Sequence, residues 1–242
     1  MEIRSNRPNF LMCLWRGLAL LALVAGGSTG LAADAVRHDV APARLRTLSV
    51  EIPASVTVRR GDHALVSVWA EAAVIDRIVV DADATGAVRI HALHSLTTNA
   101  PIRIEVSSGP LEQISMGGAG TLAADGVYAP RFTLQVDGAA GVKLSGMNLE
   151  RFTVHAQGAG SVVASGTASE QVLDFSGAAN YTGDALKTGA TTVRISGTGE
   201  ASVWANQRLD VDIAGMGTVR YHGSAVVHQS IAGLGSVEKL EP

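Results

Sequence analysis

Five carboxylates in the second half of this 242-residue chain have the residue type needed for acid–base chemistry. They are Asp137, Asp174, Glu200, Asp210 and Asp212. Some β-helical proteins cleave polysaccharides with aspartate or glutamate on one face, one as acid and another as base or nucleophile. Relative to repeated glycines nearby, Asp137 stands one residue before, Asp174 three before and Glu200 three after. These different registers predict a solvated face rather than a catalytic groove.

Other candidate motifs have equally simple structural explanations. Residues 26–30 match the G-x-S-x-G pattern of a nucleophile elbow, but no strand precedes them. Residues 118–123 match a relaxed dinucleotide-binding pattern, but the pattern recurs along the chain and no helix follows. His91 and His94 are close in sequence within a polar loop, where solvated histidine is the expected role. The sequence therefore predicts no catalytic residue, no cofactor site and no metal site.

Two tryptophans are candidates for binding sugars. Trp69 and Trp204 each stand alone in an apparent strand, and an exposed aromatic ring can stack on a sugar. A single aromatic side chain in a strand more often packs against neighbouring residues. We therefore expect packing roles for both.

The first 33 residues form a candidate secretory signal peptide. Arg4, Arg7 and Arg16 make a basic leader, residues 18–25 are an apolar core, and Ala33-Asp34-Ala35 is a small-residue cleavage site. The apolar run is far shorter than the ~20 residues that a membrane span needs. We expect export to the periplasm or the cell exterior, with no transmembrane segment after cleavage.

Composition narrows the function classes further. Cleavage removes three arginines and one glutamate, so the net charge moves from −3 to −5. An acidic chain without a basic block argues against nucleic acid or an anionic membrane as partner. Cys13, the one cysteine, lies in the leader, so the mature chain has no disulfide and no thiol chemistry. Hydrophobic residues make up 47% of the chain, which predicts a folded protein.

A repeat organises the second half of the chain. Alternating apolar residues run into a glycine corner at intervals of 20, 20, 19, 20, 18 and 18 residues. A second glycine corner often follows eight residues later. A period near twenty with short strands fits one coil of a parallel β-solenoid and is half that of a propeller blade. We predict a tight reversal with positive φ at each corner, where glycine carries no steric penalty. The structural corner glycines that come first in each repeat are Gly118, Gly138, Gly158, Gly177, Gly197, Gly215 and Gly233.

Alternation within each repeat predicts the interior. Residues between the inward positions, such as Thr133 and Asp212, should face solvent. Inward side chains should stack on the same positions of neighbouring coils. The predicted inward residues are Phe132, Leu134, Val136, Phe152, Val154, Ala156, Val193, Ile195, Leu209, Val211 and Ile213.

The position of the repeat divides the chain into predicted segments. Residues 34–43 are expected as a linker, and residues 44–110 as a strand-rich N-terminal cap continuous with the solenoid. Residues 111–242 carry the repeats. Backbone pairing from coil to coil leaves open edges at both ends, which makes self-association plausible.

The corner sequences resemble those of bacterial autotransporter-adhesin head domains, also called GIN domains. Three segments carry the likeness: Ile195-Ser-Gly-Thr-Gly-Glu-Ala201, Ile213-Ala-Gly-Met-Gly-Thr-Val219 and Ile231-Ala-Gly-Leu-Gly-Ser-Val237. Tyr221-His-Gly223, with the strand and last Gly-x-Gly after it, resembles the closing element of that family. This chain has alanine, threonine or methionine where the family has serine and aspartate. The resemblance covers about residues 44–240.

The resemblance implies a right-handed, pectin-lyase-like parallel β-helix without catalytic residues. The first hypothesis is thus a non-enzymatic, exported adhesin or envelope scaffold that binds a protein or polysaccharide of the cell envelope. A β-helical polysaccharide lyase or hydrolase is the second, and it requires three or more carboxylates and a basic residue on one face. A periplasmic envelope-associated scaffold is the third. Fold likeness alone does not choose between them.

Overall fold

A computed structural model describes residues 35–96, 98 and 100–241, so the signal peptide predicted for residues 1–33 lies outside the described residues. The short helix α1 spans Ala72–Ile75. The strands are β1 Ala35–Val40, β2 Thr47–Val50, β3 Ala54–Arg60, β4 Leu65–Glu71, β5 Ile78–Ala82, β6 Ala87–Ala92, β7 Arg103–Ser108, β8 Gln113–Met116, β9 Gly120–Asp125, β10 Tyr128–Val136, β11 Ala139–Ala156, β12 Ala159–Phe175, β13 Ala178–Ile195, β14 Thr198–Ile213, β15 Met216–His222, β16 Val226–Ile231 and β17 Leu234–Lys239.

The strands stack as a parallel β-solenoid, which confirms the predicted fold class. Each coil has three faces, illustrated by one coil of the chain. Residues 132–136 lie on the first face, residues 140–145 on the second and residues 147–149 on the third. Each long strand from β11 to β14 passes round all three faces. Backbone hydrogen bonds run from coil to coil at the usual strand spacing of about 4.8 Å.

The predicted inward side chains fill the interior. All eleven of them are buried. The rings of Phe132 and Phe152, one coil apart, stack with their centroids 6.0 Å apart and their planes at 10°. Burying a side chain of this size contributes about 1.5–3 kcal/mol. Because each coil supplies one layer, neighbouring coils stabilise one another.

Close approach between coils explains the first corner glycines. A Cβ on Gly138 would lie 2.2 Å from the carbonyl oxygen of Gly118, and one on Gly158 would lie 2.0 Å from that of Gly138. The other five meet a carbonyl oxygen of the neighbouring coil at 1.9–2.5 Å in the same way. The predicted positive φ is wrong for the first corners and is confirmed at second-corner glycines such as Gly146, with φ 62°. Lack of space, rather than backbone handedness, selects glycine at the first corner.

The N-terminal region builds coils in an order different from the sequence. β2 lies between β6 and β8 on the first face, and β3 lies between β7 and β9 on the second. β4 pairs antiparallel with β7, β1 with β4, and β5 with β6, so antiparallel strands close this end. Residues 35–40, expected within a linker, form β1. No helix among residues 35–241, apart from the two undescribed positions, is long and apolar enough to cross a membrane.

Candidate functional site

Three of the five candidate carboxylates lie together on the first face. Asp174 is in register with Arg194, and Arg194 with Asp212, so the three form one row along the solenoid axis. Asp210 stands two residues before Asp212 in β14, and side chains two apart in a strand point to the same side. The prediction of different registers is wrong for Asp174 and Asp212, which share one register. We call Asp174, Arg194, Asp210 and Asp212 the charged row.

The sequence carried a signal for this row. Asp174, Arg194 and Asp212 each stand three residues before a first-corner glycine. Residues at equal distance from their own corner occupy the same position in successive coils. Comparing every charged residue with its own corner glycine would have placed these three on one line.

The other two candidate carboxylates lie apart from the row. Asp137 follows the first-face strand β10 and accepts a hydrogen bond from Nε2 of Gln135 at 2.8 Å. Glu200 lies on the second face, where it pairs with Arg220 of the next coil. Neither contributes a carboxylate to the charged row.

Two aspartates of the charged row lie beside basic side chains of neighbouring residues. Asp174 lies 3.7 Å from Nδ1 of His155, and 46% of its side chain is exposed. Asp210 pairs with Nε of Arg208 at 2.7 Å. A shallow depression of about 310 Å³ lies over Arg194, Asp210 and Asp212. Asp174 and Asp210 are each engaged with a basic side chain of the same face, which favours a structural role for these two carboxylates.

His91 and the two candidate tryptophans contact neighbouring side chains, and His94 is exposed. Nε2 of His91 lies 3.3 Å from a carboxylate oxygen of Asp81. Trp204 packs between Lys187, whose Nζ lies 5.5 Å from the ring centroid, and the ring of His222 at 5.4 Å. The guanidinium of Arg37 lies 5.1 Å from the ring of Trp69. Within the part of the chain that the structure describes, no three side chains gather as metal ligands.

A serine, an aspartate and a histidine meet at the junction of the second and third faces, a cluster that the sequence analysis missed. The Ser202 hydroxyl donates to Oδ1 of Asp184, and Nε2 of His222 lies 3.7 Å from the same oxygen. A nucleophilic serine needs its hydroxyl bonded to the imidazole, which takes the proton. Here the carboxylate stands between them, so the cluster links neighbouring coils and the serine is not bonded to the imidazole.

The third face carries a groove of about 390 Å³. Asn148, Thr167 and Lys187 are aligned in register on three successive coils and line one side. Thr167 donates a hydrogen bond to Oδ1 of Asn148 at 3.4 Å. Ser169 and Gln207 also line the groove. We call this depression the third-face groove.

A local change of register creates the third-face groove. Between Thr188 and the first face, β14 has one more residue than β13, so Asn206 and Gln207 lie opposite Gly189 alone. Asn206 and Gln207 both line the groove. Gly189 contributes no side chain to the groove. A Cβ at this position would lie only 3.0 Å from the carbonyl oxygen of Ser169. The groove therefore depends on a small residue in one coil and an insertion in the next.

Amides and hydroxyls dominate the chemistry of the third-face groove. Asn148, Asn206 and Gln207 each offer a donor and an acceptor, and Thr167 and Ser169 offer hydroxyls. Lys187 is the one charged side chain among the lining residues, and it contacts Trp204. A small number of polar groups that point into a concave site gives specificity for a matching polar ligand. The groove suits a ligand rich in hydroxyl groups.

Comparison with known proteins identifies relatives. The family model described as putative auto-transporter adhesin, head GIN domain matches residues 44–225. A crystal structure of a putative adhesin from Bacteroides fragilis is 17% identical with a TM-score of 0.77, covering 86% of this chain and 98% of the other. A putative lipid binding protein from Parabacteroides distasonis is 17% identical with a TM-score of 0.68, covering 86% and 97%. No curated protein matches this sequence. At such identities, the structural likeness supports the fold alone.

Proposed function

This chain belongs to the putative auto-transporter adhesin, head GIN domain family, and we propose that it is a non-enzymatic, exported protein that binds envelope polysaccharide in its third-face groove. The family assignment confirms the resemblance found in the corner sequences. The basic leader, apolar core and small-residue site of residues 1–33 support export. Adhesion and the polysaccharide ligand are the parts of the proposal that need direct tests.

The third-face groove is the observation that carries the proposal. Its side chains repeat along the solenoid axis at the coil spacing of about 4.8 Å. An extended glycan presents hydroxyl groups at a similar repeat, so successive sugars can each meet a polar side chain on successive coils. Asn148, Thr167 and Lys187 supply such a series on three coils. An extended glycan that lies along the solenoid axis contacts the largest number of these side chains.

Filling the third-face groove tests this function. Ser169 is exposed on its floor, so Ser169→Trp should block the ligand without disturbing the interior. Ser161→Trp is the matched control, because Ser161 is exposed on the second face, away from the groove. The probes are purified peptidoglycan sacculi, tested by co-sedimentation, and soluble envelope polysaccharide, tested by retardation in native gels. The wild type and Ser161→Trp should bind, and Ser169→Trp should not. The proposal fails if the wild type binds neither probe or both variants bind equally.

A second candidate function is a polysaccharide lyase or hydrolase. The charged row favours it, since Asp174, Asp210 and Asp212 share one face with Arg194. Exposure of the row and the Arg208–Asp210 ion pair argue for a structural role instead. A third candidate, a scaffold for an envelope protein, predicts co-purification of that protein in place of polysaccharide binding.

A further inference from the structure

Four strands mark the open ends of the solenoid. Among the described residues, β1, β5, β16 and β17 each pair with one neighbour: β4, β6, β14 and β15 respectively. The other backbone edge of each strand is free to pair with another chain. Natural proteins commonly protect such edges with charged side chains.

Three of these four edges carry charges. β1 contains Arg37 and Asp39, β5 contains Asp81, and β17 contains Glu238 and Lys239. Lys239 is in register with Tyr221, which packs against the core, so this charge stands at an inward position of the last coil. Inward-pointing charges on edge strands discourage pairing with another strand.

β16 lacks this protection. Its sequence is Val-Val-His-Gln-Ser-Ile, without aspartate, glutamate, lysine or arginine. Val226 is 62% exposed and Ile231 is 38% exposed. Gln229 is in register with the buried Val211, so an exposed amide occupies an inward position of the last coil. An uncharged free edge with exposed apolar side chains is a site for strand addition.

The sequence of β16 complements itself when two copies run antiparallel. Around an axis through Gln229, the two Gln229 side chains lie opposite each other. Val227 then lies opposite Ile231 of the second copy, and His228 lies opposite Ser230 of the second copy. Residues directly opposite in an antiparallel pair point to the same side. On the inward side, a pair of glutamines is thus flanked by two Val227–Ile231 pairs, and on the outward side His228 meets Ser230.

We propose that β16 pairs antiparallel with β16 of a second copy of this chain, joining two solenoids end to end around a two-fold axis at Gln229. The first faces of both copies then form one continuous sheet. A two-fold axis makes the contact isologous and closed, so association stops at the dimer. The free edge of β17 stays unpaired because of Glu238 and Lys239.

A disulfide tests the register directly. Opposite residues of an antiparallel pair have Cα atoms about 4.5–5.5 Å apart, within the range that a disulfide spans. In a Cys13→Ser background, Gln229→Cys should therefore cross-link two copies under mild oxidation and double the mass on non-reducing gels. Ser236→Cys, at the same end on β17, is the matched control and should remain largely monomeric.

Sedimentation of the uncrosslinked protein completes the test. The wild type should sediment at twice the monomer mass, and Gln229→Arg, which places like charges opposite each other, should sediment as the monomer. Because Gln229 is exposed in the single chain, this change should leave the fold of the monomer intact, which far-UV circular dichroism checks. A monomeric wild type overturns the proposal. Equal cross-linking of the Gln229→Cys and Ser236→Cys variants also overturns the proposal, because it shows that the two copies do not associate specifically through β16.

Discussion

Gln171 donates a hydrogen bond from Nε2 to the hydroxyl of Tyr181 inside the solenoid, where both side chains are buried. The hydroxyl of Thr191 donates to Oε1 of Gln171 at 3.4 Å and lies 2.6 Å from that of Thr188. Gln171 is in register with Phe152 of the neighbouring coil. A chain of buried polar groups therefore replaces the aromatic stack in this part of the interior.

Tyr181→Phe should change both the stability at neutral pH and its response to alkali. Burial raises the pKa of the Tyr181 hydroxyl, so the folded protein keeps this proton after the unfolded chain has lost it. The stability that this difference provides is complete below about pH 10, the ordinary tyrosine pKa, and falls as the pH rises further. Urea unfolding should show that Tyr181→Phe costs about 1–3 kcal/mol at pH 7, because the Gln171 amide loses its acceptor. Above pH 10 the variant should lose stability less steeply than the wild type.

The exposed Tyr128 provides the control. It is 49% exposed, so Tyr128→Phe should leave the stability at pH 7 unchanged. Identical alkaline slopes for Tyr181→Phe and the wild type would contradict the buried state of Tyr181.

Gly158→Ala should destabilise the protein by about 1–3 kcal/mol, the usual effect of adding a methyl group to a closely packed site. Its Cβ would lie 2.0 Å from the carbonyl oxygen of Gly138, so neighbouring coils must move apart. Gly109→Ala is the control, since a Cβ there meets nothing within 4 Å. Thermal and urea unfolding midpoints measure both changes. Equal midpoints for the two variants would refute the close-contact explanation of the corner.

Glu51→Gln should remove part of the sensitivity to acid. Nε and Nη2 of Arg89 donate to the two carboxylate oxygens of Glu51 at 2.6 and 2.8 Å, and this pairing lowers the pKa of Glu51. The stabilisation is present above about pH 4.3, the ordinary glutamate pKa, and is lost as the pH falls through the folded value. Because the pair is partly exposed, the variant should lose less than about 1 kcal/mol at pH 7.

The free energy of unfolding, measured for both proteins at pH values from 7 down to 3, tests this effect. The stability difference between the wild type and Glu51→Gln should shrink towards zero in acid. Glu150→Gln is the control, since its carboxylate lies outside the ion pairs found among the described residues. A difference that persists at pH 3 would show that Glu51 stabilises the fold by some other contact.

The repeat could be predicted from the sequence because the corner glycines are evenly spaced. Their spacing and the alternation of Phe132 to Val136 were enough to predict a solenoid and its inward residues. The coil order of the N-terminal region was not predictable, because β2 and β3 pair with strands that follow much later. The third-face groove was equally hidden, since it depends on how Asn206 and Gln207 fit beside Gly189 in three dimensions.

The decisive measurement follows envelope polysaccharide during incubation with the protein, counting new reducing ends and unsaturated sugars. Our account predicts that the wild type binds the polysaccharide and leaves its chain length unchanged, and that Ser169→Trp loses the binding. Cleavage that disappears in Asp212→Asn but persists in Ser169→Trp would contradict it. That result would place an active site at the charged row and make the protein a polysaccharide-cleaving enzyme.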